Sequence, residues 1–267
     1  MKFILLFTLL VFNFTESHSE IEKTRFFNLG GGWAYSGLRD KGISPLYYSG
    51  NNAIISVGQS VRSDIMFRNL EINFYVGKLF PGINPDLTLA QMKNMKTGIN
   101  YSYMKFISNI INERGKLFLG GALETQAAYY EHNQFTNSSF NGYLFSTLNI
   151  SGSLSYPLIN KDRQYLIIFQ MQLPVMAAIV RPSYAYIKPQ GFMDHSNNNI
   201  QRFIKSIEIS SVNKFHGISS NISIEYKFNN NDNAFRIGYK WEYIGHQNIN
   251  MLKSAVHGIT VQTMFNL

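Results

Sequence analysis

The sequence predicts an all-β protein, an antiparallel up-and-down transmembrane β-barrel of about twelve strands, with ten as the fallback. Three observations carry this. Apolar and polar residues alternate with period two in segments of about ten to fifteen residues, separated by Asn, Gly, Pro and Asp. Charged residues make up 15% of the chain, where a soluble surface has about 25–35%, and aromatic residues also supply 15%, with 21 Phe and 16 Tyr. The polar faces are rich in Ser, Asn, Thr and Gly with few Lys or Glu, which suits a packed or narrow polar lumen.

The first element is a leader. Lys2 is basic, Phe3 to Phe14 is apolar, and Ser17 and Ser19 stand at the spacing a signal peptidase reads before Glu20. Residues 1–19 are therefore expected to be a cleaved signal peptide and residues 20–267 a single barrel domain. The apolar run is too short for the roughly 20 residues a helical span needs. With no cysteine in the chain there is no disulfide framework, no thiolate metal site and no lipid attached through an N-terminal cysteine.

The strands follow in order. Gly30–Gly31–Gly32 before Trp33 lacks the Lys–Ser/Thr pair and the helix of a phosphate loop, so small residues in a closely approached strand explain it better. Leu70, Ile72, Phe74 and Val76 alternate with Asn69, Glu71 and Asn73, and Leu144, Leu148, Ile150 and Leu154 with Thr147, Asn149, Ser151 and Ser153. Tyr165 to Val180 is apolar but too short for a helical span, and it alternates: Gln170, Gln172 and Pro174 oppose Tyr165, Ile167, Phe169, Met171 and Leu173. Pro174 cannot donate to a ladder, so a bend or bulge is expected there.

Ile218, Ile222, Ile224, Tyr226 and Phe228 oppose Ser219, Asn221, Ser223, Glu225 and Lys227. Phe235, Ile237, Tyr239, Trp241 and Tyr243 oppose Arg236, Gly238, Lys240 and Glu242, and the last segment sets Ile259, Val261, Phe265 and Leu267 against Gly258, Thr260, Gln262 and Asn266. Strands of this length exceed the five or six residues usual in soluble sandwiches and match the roughly nine to eleven of a membrane-crossing strand. Phe235, Ile237, Tyr239, Trp241, Ile259, Val261 and Phe265 are thus expected to face lipid, and Glu71, Glu124, Glu225, Arg236, Lys240 and Glu242 the lumen.

About eleven segments are visible, beginning near Phe27, Ile55, Leu70, Tyr101, Leu117, Leu144, Tyr165, Phe203, Ile218, Phe235 and Ile259. Single-chain bacterial barrels have even strand numbers, which places a twelfth around Tyr184–Ile187. Loops are expected at Gly37–Asn52, Leu79–Lys96, Arg181–Asn199 and Gly245–Lys253, the second with a short helix around Leu87–Met95. Tyr47, Tyr48, Tyr184 and Tyr186 read as interfacial or loop aromatics before they read as a ligand platform.

The run Asn229 to Asn233 is a turn, because Asn tolerates positive φ. With Asn230 and Asn231 at its tip, Glu225 falls opposite Arg236; the next register would set Lys227 against Arg236, which is repulsive. A network of Glu225, Arg236, Lys240 and Glu242 in the lumen reads as structural before catalytic, since a charge inside a barrel needs a partner to be tolerated.

The chain ends on a strand with Phe265 third from last and Leu267 last, preceded by alternating apolar residues. With the leader and the alternation, it resembles the broad class of small bacterial outer-membrane β-barrel proteins, at the level of architecture and over essentially all of the mature chain. The resemblance implies residence in the outer membrane, contact with its lipid, and recognition of the C-terminal strand by the outer-membrane assembly machinery.

The net charge is +8, but the 24 Lys and Arg residues are scattered, so no nucleic-acid surface is expected. His132, His216, His246 and His257 show no metal-ligand spacing, and neither a metal nor a cofactor is expected. The one enzyme-like feature is His195–Ser196, yet adjacent strand residues face opposite sides, and outer-membrane phospholipases use a His and a Ser two positions apart. A polar loop is the better reading, and the balance is against an enzyme. Three functions remain, in order: a small pore or transport protein, a structural or partner-binding barrel with a filled lumen, and a lipid-modifying hydrolase. No solute or protein partner is identified.

Overall fold

The computed structural model describes residues 23–267, apart from 43, 83–90, 112, 133–139, 161–162, 182–200, 202–205, 229–231 and 248–249. The leader, the segments at Tyr184–Ile187 and Phe203, and the His195–Ser196 pair all lie outside the described residues.

The strands are β1 (Thr24–Asp40), β2 (Tyr47–Arg62), β3 (Met66–Pro81), β4 (Met92–Ile110), β5 (Gly115–His132), β6 (Phe140–Asn160), β7 (Arg163–Val180), β8 (Glu208–Ser211), β9 (Phe215–Lys227), β10 (Ala234–His246) and β11 (Leu252–Asn266). Neighbours pair antiparallel, β6 pairs β7, and β1 pairs β11, so the sheet closes on itself. β9 pairs β7 over Gln164–Gln172 and the short β8 pairs it over Met176–Ile179, so the two act as one interrupted stave. The barrel therefore has ten staves, matching the fallback and not the estimate of twelve. The excess comes from the segment at Phe203, ahead of the short β8 that shares a stave with β9, and from the twelfth placed around Tyr184–Ile187 to make the number even.

Closure leaves no edge, which satisfies the backbone in a medium without water. At β1 the approach is close: a Cβ on Gly30 would lie 2.4 Å from the Val261 carbonyl oxygen, and one on Gly32 2.0 Å from that of Ile259. This is the role expected for the glycine run.

The ends of the barrel differ. The start of β1, the end of β11 and the connections after β2, β4, β6 and β9 lie at one end, here called the termini end; the other connections between staves, which include the long ones after β3 and β7, lie at the opposite, long-loop end. Several loops are shorter than expected. β1 runs on to Asp40 and β2 begins at Tyr47, while β10 reaches His246 and β11 starts at Leu252. Met92–Met95, expected in a helix, is strand, because this backbone finds ladder partners in β3, where Val76 stands opposite Met95.

The bulge expected at Pro174 is present on both sides. Opposite β6 the register jumps from Leu148↔Met176 to Asn149↔Pro174, and opposite β9 the ladder lapses between Gln172↔Ser219 and Met176↔Ser211. At the β9–β10 turn Arg236 stands opposite Glu225, the favoured register, and among the described residues of the turn Asp232 has positive φ.

Along every stave one face points outward and the other into the lumen. The outward files are apolar and exposed, with Trp33, Ile55, Phe74, Ile150, Ile237 and Ile259 among them. An apolar exterior on a closed barrel with a polar middle is the arrangement of a small outer-membrane β-barrel.

Candidate functional site: the filled lumen

Inward-facing side chains stack in three layers. At the termini end Phe26, Ala234 and Met264 form one apolar group and Phe67, Met104 and Phe118 another, with Phe106 packed against the second. Arg62 stands between them, its guanidinium 5.8 Å from the Phe26 ring centre and 5.2 Å from that of Phe67. It donates to both oxygens of Glu225, Nη1 to Oε2 at 2.6 Å and Nη2 to Oε1 at 2.7 Å. Arg236 Nε donates to the same Oε1 at 2.7 Å, and its Nη1 to Gln262 at 3.1 Å. The bidentate fork is the strong form of such a pair. Below this lock, toward the termini end, are two adjoining hollows of about 420 and 380 Å³, both bordered by Thr24, Arg62, Pro157 and Leu166.

The middle layer is polar. Lys96 bonds Glu242, and Lys240 lies 3.2 Å from the other oxygen of that carboxylate. Gln126 Nε2 donates to Glu242 at 3.0 Å and to Glu124 at 2.7 Å, and the Lys96 ammonium sits 5.5 Å from the Tyr75 ring centre. Ser56 takes a hydrogen bond from Gln262 at 3.0 Å and gives one to Glu71 at 3.1 Å, which joins the lock to the middle layer. Asn100 and Gln172 pair across the lumen at 2.8 Å. Beside Pro174 and Gly217, where the β7–β9 ladder lapses, a hollow of about 20 Å³ has room for about one water.

The layer at the long-loop end is an apolar plug. Leu38, Tyr48, Leu79, Met92, Tyr130, Tyr143, Phe145, Phe215 and Leu252 all point inward and are buried. The Tyr143 and Phe145 rings stack at 4.2 Å, and Phe215 meets Phe145 edge-on at 5.4 Å. Above it, Arg181 bonds Asp40 and donates to the Asn250 carbonyl at 2.7 Å.

Among the residues singled out in the sequence, Glu71, Glu124, Glu225, Arg236, Lys240 and Glu242 point into the lumen. Four of them divide between two ion-pair groups, Glu225 with Arg236 and Glu242 with Lys240, while Glu71 accepts a hydrogen bond from Ser56 and Glu124 one from Gln126. Ile237, Tyr239, Ile259, Val261 and Phe265 are exposed on the outer face, and Phe235 and Trp241 point outward half-buried. Tyr47 is exposed at the start of β2, whereas Tyr48 turns inward and meets His132 Nε2 at 2.8 Å. Tyr184 and Tyr186 lie outside the described residues. His257 sits outside, 2.7 Å from the Tyr239 hydroxyl, and His246 is buried beneath the long loops.

Sequence reasoning missed Arg62 and Lys96, the cross-barrel partners of Glu225 and Glu242. Neither has a local signal for its partner: Arg62 is 163 residues from Glu225, and Lys96 falls in the stretch Leu79–Lys96 expected to be a loop.

No protein-family model matches the chain, and no curated protein does. Among solved structures it is similar to the transport unit of the autotransporter AIDA-I from Escherichia coli, at 10% identity, covering 99% of this chain and 97% of that one, with a TM-score of 0.42. The translocator domain of the autotransporter NalP from Neisseria meningitidis is matched at 6% identity over 97% and 95%, with a TM-score of 0.37. An outer-membrane channel from Pseudomonas putida F1 is matched at 8% identity over 94% and 98%, with a TM-score of 0.32. Likeness at this level fixes neither family nor activity.

Proposed function

We propose that the protein is a small-solute transport barrel of the outer membrane, shut in this conformation by the lock at Arg62–Glu225–Arg236 and by the aromatic plug. The observation that carries the reading is the row of retained charges inside the lumen, from Arg62, Glu225 and Arg236 to Lys240, Glu242 and Lys96. Stability alone does not call for them, since replacing buried ion pairs by well-packed apolar residues is often neutral or stabilising. Charged and hydrogen-bonding groups facing one another along the axis are what a polar solute needs in place of its water. Glu71 and Glu124 extend that lining.

A structural or partner-binding barrel is the second reading, and the plug favours it, because a filled lumen needs no solute to explain it. The proposal includes export by a cleaved leader at residues 1–19 and assembly through the C-terminal strand ending in Phe265, Asn266 and Leu267. Swelling of liposomes carrying the refolded mature chain tests the first reading. Entry of small sugars or amino acids faster than into protein-free liposomes is expected. A correctly folded barrel giving no solute entry would transfer the assignment to the second reading.

A further inference from the structure

We infer that the outer face of β11, β1, β2, β3 and β4 at the long-loop end carries a binding site for the phosphate groups of an outer-leaflet glycolipid. The inference rests on the membrane reading, with the long loops outside.

It begins from two cross-strand pairs that should repel. Arg39 of β1 stands directly opposite Lys253 of β11, and Lys78 of β3 directly opposite Lys93 of β4. All four point outward and are exposed. Like charges directly opposite on one face of a ladder are destabilising, their Cβ atoms about 5 Å apart. Lys93 has Glu131 at 3.0 Å, but Arg39, Lys253 and Lys78 have no acidic partner among the described residues. An anion shared between each couple would turn repulsion into attraction.

The depth of the four cations points to a lipid phosphate. On each outward file the residues next toward the membrane centre are apolar or aromatic. Lys78 is followed by Val76 and Phe74, and Lys93 by Met95, a half-buried Thr97 and Ile99; Val76, Phe74, Met95 and Ile99 are strongly exposed. Below Arg39 the Tyr47 ring covers Gly37, whose Cβ would lie 2.0 Å from the Tyr47 hydroxyl, and Tyr35 and Trp33 follow. Below Lys253 come Ala255, then His257 with its bond from Tyr239, then Ile259. On β1 and β11 aromatic rings lie between the apolar band and the cation, and on β3 and β4 the cation directly follows the band, which places all four charges at headgroup level. The two couples are separated by three inter-strand spacings, about 14 Å. That span suits two phosphates on one large sugar headgroup or on two neighbouring lipids.

The termini end lacks this arrangement. Its outward cations Arg68 and Lys105 stand opposite Tyr103 and Met66, and Arg25 opposite Val61. Net positive charge alone would not confine paired cations to one end of one side.

The test uses the full mature chain refolded in neutral detergent, with a heat-modifiability gel to certify the barrel. Native mass spectrometry then measures binding of bisphosphorylated lipid A, the same lipid without phosphates, and phosphatidylglycerol, with inorganic phosphate as competitor. The variants are Arg39→Gln/Lys253→Gln, Lys78→Gln, and Arg25→Gln/Lys105→Gln as the control from the other end. At roughly fivefold per basic side chain near an anionic surface, the first pair should weaken lipid A binding about 25-fold and the control should leave it unchanged.

Melting supplies a second readout that a structural role would not reproduce. Without lipid, Arg39→Gln/Lys253→Gln should melt higher than the parent, because repulsion is relieved; with lipid A it should melt lower. Equal binding by parent and variant overturns the site, as does equal binding of phosphatidylglycerol or full displacement by inorganic phosphate. A chain that forms no heat-modifiable barrel overturns the membrane reading and the site with it.

Discussion

The middle of the lumen and its long-loop end are built from the same inward-facing files of residues yet are held in opposite ways. In the middle and in the lock that adjoins it toward the termini end, charges from distant strands neutralise one another: Lys96 and Glu242 are 146 residues apart, Arg62 and Glu225 163. At the long-loop end, aromatic and aliphatic side chains fill the same cross-section by packing alone. A network of paired charges fails when one member is removed, because the partner is left buried and unpaired. A packed layer yields locally, by the volume removed. One region sets specificity and register, and the other sets the seal.

The largest expected effect comes from breaking the first region. Glu225→Ala strands Arg62 and Arg236 together, and should cost about 3–5 kcal/mol in urea unfolding of the refolded barrel, followed by tryptophan fluorescence. Phe145→Ala removes the ring shared by Tyr143 and Phe215 and should cost about 3 kcal/mol in the same assay, with the heat-modifiable barrel retained. Tyr48→Phe deletes the hydroxyl's contacts with His132 and Ser44 beside the plug and should cost about 1 kcal/mol. Lys227→Ala breaks an exposed pair with Asp232 at the β9–β10 turn and should change stability by less than about 0.5 kcal/mol. If Glu225→Ala proved as mild as Lys227→Ala, the division between paired and packed layers would fall.

The faces of the strands were legible because the pleat repeats every two residues and the outward side is apolar while the inward side is largely polar. The alternations at Leu70–Val76, Ile218–Phe228 and Phe235–Tyr243 each place the same residues outward that the structure does. The Glu225–Arg236 register was legible because a short turn and a like-charge penalty left one choice. The plug was not. Leu38, Tyr48, Leu79, Met92 and Leu252 lie in stretches rich in Asn, Gly and Pro that read as loops, and only ladder partners from neighbouring strands extend β1, β2, β3, β4 and β11 through them. Nor were Arg62 and Lys96, since cross-barrel partners carry no local spacing. The strand number failed where the β8–β9 stave is interrupted opposite Pro174, and again where the even-number rule added a strand around Tyr184–Ile187.

The most direct measurement is single-channel conductance in a planar bilayer, parent against Phe145→Ala/Phe215→Ala, each certified as a folded barrel. If the aromatic layer is the seal of a transport barrel, the parent should be silent apart from brief openings and the variant should conduct steadily. A folded variant as silent as the parent would contradict it, and so would a parent that conducts steadily with its plug in place.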